Sequence, residues 1–112
     1  MNNLINISFI QEQYKFLVKV LTWTYTNFES LDESDPKLNK ILSDLIGELT
    51  TQNSEENTVV LTLMDFEWDF IIMVLKKVSP TFDELQQSLV AYLCKDLANE
   101  IENQISAYKH NS

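Results

Sequence analysis

Between residues 82 and 108 apolar side chains recur at every fourth position. Leu85, Leu89, Leu93, Leu97, Ile101 and Ile105 form the row, and Phe82, Val90, Cys94, Ala98 and Tyr108 broaden it. Residues three and four apart stack on one side of a helix, so this spacing predicts a helix over about 82–108. Thr81 with Glu84 supplies a capping box at its start, and Ser79-Pro80 ends whatever precedes it.

The same reasoning places two helices earlier in the chain. Ile10, Tyr14, Leu17, Leu21 and Phe28 make one stripe, and Phe9, Phe16, Val20 and Trp23 make a second. Behind a Ser8/Gln11 capping box these predict a helix over about 9–29 that is apolar around more than half its girth. Asp35 as N-cap and Pro36 at the first helical position open the next, over 36–51. Leu38, Ile41, Leu42, Leu45 and Leu49 define its face, and Gly47 is a weak point or a close-packing spot within it.

"MDFEWDFIIMV" (64–74) admits two pitches. Met64, Phe66, Trp68 and Phe70 alternate with Asp65, Glu67 and Asp69 as in a half-buried strand. Apolar residues then continue to Val78 without a turn signal, too far for a strand of ordinary length. Acids in the first turns and Lys76 and Lys77 in the last suit the helix macrodipole, and Thr62 pairs with Asp65 as a cap. The reading is a short extended segment near 58–62 followed by a helix over about 63–78. Phe66, Phe70, Met73 and Val78 share one side of it, and Trp68, Ile71, Ile72 and Leu75 another.

One glycine and two prolines in 112 residues leave few of the residues that tight hairpin turns require. The expected fold is therefore all-α: a four-helix bundle-like single domain over 1–112, with no internal repeat and no linker. A chain of this length buries a core without disulfides or metals.

Charge narrows the partners. Seventeen acids against eight lysines, with no arginine, give a net charge of -9. Clustered cations are what bind a phosphate backbone or an anionic membrane, so direct binding to nucleic acid or membrane is not expected. Asp65, Glu67 and Asp69 oppose insertion of residues 59–78 into a bilayer. The start, "MNNLINIS", lacks the basic and long apolar regions of a signal peptide, and the single Cys94 forms no internal disulfide; a cytoplasmic protein is expected.

Little here supports catalysis. Cys94 lies in an apolar stripe and His110 lies two residues from the end, so no nucleophile sits beside a base and no zinc-binding set assembles. A lone glycine excludes Gly-rich phosphate loops. No catalytic residue, metal or cofactor is expected. Acid pairs at i,i+4, Asp65 with Asp69 and Asp96 with Glu100, read as solvated faces.

The acids and aromatics remain. Glu29, Asp32, Glu33 and Asp35 crowd one loop, and Asp65, Glu67 and Asp69 edge the third helix. Four helices of this size do not bury every apolar face offered, and a surplus edged with acids marks an interaction surface. Trp68, Phe66 and Trp23 are the expected anchors, with Asp65, Glu67, Asp69, Asp32 and Glu33 as rim. The expected function is that of a non-enzymatic protein that occupies a basic surface of a protein partner. An inhibitor or adaptor fits, such as a phage or mobile-element anti-defence protein whose carboxylates imitate a nucleic-acid backbone. The alternatives are a homodimeric assembly helper, or a helical protein similar in size and helical content to bacteriocin immunity proteins.

Overall fold

A computed structural model describes residues 4–27, 36–53 and 55–110. The element order is β1 (Leu4–Ile10), α1 (Gln11–Thr26), α2 (Pro36–Thr51), β2 (Thr58–Met64), α3 (Asp65–Glu84) and α4 (Ser88–His110). Among the described residues four helices are present as expected, but the fold is not all-α: β1 and β2 pair as a two-stranded antiparallel sheet. Ile5, Ile7 and Phe9 are buried on one strand, as are Val59, Leu61 and Leu63 on the other, while their neighbours face outward. This is the period of two that a half-buried strand requires. A bond from Thr62 Oγ1 to Asn6 Oδ1 (2.7 Å) ties one pair, and the Gln11 N–H donates to the Asn57 carbonyl (2.9 Å) in the same register.

The chain divides into two compact units. One holds residues 1–7 and 62–112, and therefore α3, α4 and part of each strand; the other holds 8–61, with α1, α2 and the remainder of both strands. No repeat is expected from the sequence, yet β1-α1-α2 and β2-α3-α4 follow the same plan. Both strands and both first helices start 54 residues apart, at Leu4 and Thr58 and at Gln11 and Asp65. Residues 11–22 and 65–76 have the same order of buried, half-buried and exposed positions throughout. The second helices correspond at an offset of 52, so that buried Leu42, Leu45 and Leu49 answer to Cys94, Leu97 and Ile101. Side-chain identity differs almost everywhere, and the repeat lies in burial rather than in letters.

Each strand-to-helix junction is closed by the same device. The Gln13 side chain accepts from the Ile10 N–H (3.0 Å), and the Glu67 side chain accepts from the Met64 N–H (2.9 Å). These are half capping boxes, with N3 reaching back to the N-cap. The expected boxes at Ser8/Gln11 and Thr62/Asp65 are each displaced by two residues, because Ser8 and Thr62 belong to strands. Helix α1 accordingly begins at Gln11 rather than 9, and α3 at Asp65 rather than 63. Helix α2 spans 36–51 as expected, while Asp35, its expected cap, lies outside the described residues.

The boundary between the third and fourth helices differs more. Pro80 was expected to stop the third helix, but α3 runs on to Glu84. A proline removes one N–H and crowds the carbonyl four residues back. The turn is held by packing: Ser79 and Phe82 are buried, and the Ser79 hydroxyl donates to the Ala91 carbonyl (2.8 Å). Thr81 and Glu84 are thus the end of α3, not a cap for α4, which begins six residues later than the expected 82. The join is a Schellman motif: Gln87 N–H donates to Phe82 O (2.8 Å) and Gln86 N–H to Asp83 O (3.1 Å). Gln86 takes φ 60, the left-handed conformation where glycine is usual.

Gly47, inside α2, is no close-packing spot, since an added Cβ would meet nothing within 4 Å.

Candidate binding surface

Position four of each first helix carries a large buried ring. Tyr14 is 4% exposed and its hydroxyl donates to the Leu49 carbonyl (3.0 Å). Trp68 is 0% exposed, and its indole N–H donates to the Ile5 carbonyl (3.0 Å). The pairing is not accidental, since a buried polar handle needs a partner. Trp68 therefore belongs to the core, and the expectation of an exposed indole anchor fails at this position. Helix α3 buries the side bearing Trp68, Ile71 and Leu75, which turns Phe66 and Met73 outward.

The remaining expected site residues separate. Phe66 is 52% exposed, Asp69 is exposed, and Asp65 and Glu67 are half-buried. The Glu67 carboxylate is engaged at the start of its own helix. Trp23 is half-buried in the other unit. Asp32 and Glu33 lie outside the described residues.

Sequence reasoning missed the most exposed apolar group. Leu89 is 70% exposed, Tyr92 62%, Leu85 53% and Leu93 36%. Three of these belong to the every-fourth-residue row expected to face the core. Buried in α4 are Ala91, Cys94, Leu97, Ala98, Ile101 and Ile105, all but Ala91 from the expected stripe, so it is the early end of the row that faces outward. The reason is geometric. At 3.6 residues per turn, each step of four advances about 40° around the helix. From Leu89 to Ile105 the row swings through roughly 160°, so one end must leave the core when the other enters it.

The two halves are one another's control for what the exterior needs. Where the second half exposes Phe66 and Met73 on α3, the first exposes Glu12 and Lys19 on α1. Where α4 exposes Leu89 and Tyr92, α2 exposes Lys37 and Lys40. The plan is thus compatible with charge at all four places.

Chemistry elsewhere is sparse. Burial pushes the Cys94 thiol up to about 11, so it is held neutral inside α4. Among the described residues no group of three His, Cys, Asp or Glu side chains is placed to hold a metal. No described helix is long and apolar enough to cross a membrane. A shallow recess of about 280 Å³ is lined by Lys76, Lys95 and Asn99, and Lys76 pairs with Glu102 at exposed positions.

Set against protein-family models, curated proteins and solved structures, the chain matches none of them.

Proposed function

We propose that this chain is a non-enzymatic, acidic, cytoplasmic protein-binding protein that covers a basic surface of a protein partner, as a small inhibitor or adaptor. The observation that carries the reading is the exchange of outer residues between the halves. Glu12, Lys19, Lys37 and Lys40 in one give way to Phe66, Met73, Leu89 and Tyr92 in the other. Folding does not require these apolar groups outside, and Leu89 and Tyr92, with exposed Leu85 and Leu93 beside them, make the kind of apolar group that marks an interaction site. The net charge of -9 supplies the sign of the partner. A nucleic-acid-handling complex, whose groove is cationic, is a partner of that kind.

The test is affinity capture on the immobilised chain at low and high ionic strength, with bound proteins identified by mass spectrometry. A variant carrying Phe66→Glu, Met73→Lys, Leu89→Lys and Tyr92→Lys runs in parallel. The expected result is a protein held by the unaltered chain, less at high salt, and lost from the variant. Equal retention by the variant, or retention indifferent to salt, removes the proposal. Light scattering addresses the homodimer: a dimer of the unaltered chain that the four substitutions dissolve would make this an assembly surface instead.

A further inference from the structure

Resting on that reading, we infer that the seat is the outer row at the start of α4 and that its occupant is an amphipathic helix with lysine or arginine at both ends of an aliphatic face. Leu89 and Leu93 lie one turn apart on α4, Tyr92 lies beside them, and Leu85 precedes them in the turn; all are exposed. Acids bracket the group. Asp83 and Glu84 stand before Leu85, while Asp96 and Glu100 continue the line of the helix beyond Leu93. Lys95 does not interrupt the row, because it lies on the flank toward α3, where it lines the recess with Lys76. From Leu89 to Glu100 the row runs about 17 Å, the length of a helix of roughly 12 residues. Such a segment docks through aliphatic anchors at i, i+3, i+4 and i+7.

The bracketing acids discriminate between occupants. A second copy laid along the same row, in either direction, sets acids against acids at both ends. A helix with cationic ends meets opposite charge at both. The outer face of α3 is less specific, since Phe66 and Met73 there are interleaved with Asp69 and followed by Lys76 and Lys77.

Fluorescence anisotropy with a labelled synthetic helix of about 14 residues, leucines on one face and lysines at both ends, reads this directly. A twin peptide with glutamate in place of lysine is the control. The lysine peptide is expected to bind at least about tenfold more tightly than its twin, and Leu89→Lys with Tyr92→Lys to weaken it at least about tenfold. Because α2 carries lysine at both corresponding positions, this variant keeps its helical circular dichroism and urea midpoint. Asp96→Asn with Glu100→Gln, which leaves the apolar row intact, is expected to weaken binding and flatten its salt dependence.

Binding unaffected by both pairs of substitutions overturns the inference, as does failure of the lysine peptide to bind. Loss of binding only with Phe66→Glu and Met73→Lys moves the seat to α3 and overturns the inference, while the broader reading stands. A dimer of the unaltered chain dissolved by Leu89→Lys and Tyr92→Lys makes a second copy the occupant and overturns it too. The broader reading falls separately, when a captured partner ignores all four outer substitutions.

Discussion

The first half, β1-α1-α2, and the second, β2-α3-α4, agree inside and part company at four places outside. Twelve successive positions of α1 and α3 share one sequence of burial states, although only Phe16/Phe70, Val20/Val74 and Leu21/Leu75 repeat the residue. At four exposed positions the second half carries an aromatic, thioether or aliphatic side chain where the first carries charge, while the acids Asp44 and Glu48 of α2 recur as Asp96 and Glu100 of α4. The interior therefore answers to the fold, and the exterior has been free to answer to something else. Shared burial fixes which residues must be oily; it leaves the outer ones to solvation or to a partner.

The equivalence is most severely tested at its two buried rings. Trp68→Ala and Tyr14→Ala should each cost about 3–5 kcal/mol in urea unfolding, since each empties a core site. A loss below about 1 kcal/mol at one of them would break the correspondence at position four of the helices. Removing only the hydroxyl with Tyr14→Phe should cost about 1–2 kcal/mol, and Trp68→Phe, which removes the indole N–H together with part of the buried ring, should cost more.

The next measurement sets the halves apart by pH. Burial holds the Cys94 thiol neutral to about 11, above its ordinary value near 9.0, and raises Tyr14 as well. The unfolded chain then gives up these protons at lower pH than the folded chain does. Stability is unaffected below the unfolded value and declines as pH rises from about 9 toward 11. Cys94→Ala should flatten that decline, and Tyr14→Phe should flatten the part contributed by the first half. Denaturant titrations at neutral and alkaline pH decide it, and equal slopes in all three proteins would refute the assignment.

Smaller effects belong to the junctions. Gln13→Ala and Glu67→Ala should each cost about 1 kcal/mol, with Glu67 slightly the larger because its charge also meets the helix N-terminus. The smallest concern the single glycine, which is inside α2 while the left-handed turn before α4 is filled by Gln86. Gly47→Ala should gain about 0.5–1 kcal/mol and Gln86→Gly a similar amount, read as shifts in thermal midpoint. A loss in either case would show that the local backbone rules are overridden there.

The four helices are readable from period alone, as are most buried positions of α1, α2 and α4, whereas which side of α3 faces inward is not. Strand β1 was readable too, since Ile5, Ile7 and Phe9 alternate with Asn6 and Ser8. It was hidden by the local attraction of Ser8 and Gln11 as a cap. Local cues also misplaced the last boundary. Pro80 and Thr81 look like a stop and a start, and only packing around Ser79 and Phe82, which no local pattern records, carries α3 past them. The repeat is not legible in the letters because it is written in burial, and burial is a property of pairs of elements. Of the candidate surface, Phe66 and Asp69 were placed outside correctly in kind. Trp68 was not, because an aromatic flanked by acids reads alike from either side of a helix until its partner, here the Ile5 carbonyl, is known.

The two indoles also have an optical consequence. Trp68 is sealed in one unit and Trp23 half-open in the other. Apolar surroundings shift indole emission to the blue, and a collisional quencher reaches the more open ring first. Replacing either tryptophan with phenylalanine leaves a lamp in just one half, so the emission of the chain reports whether its halves melt together or in turn.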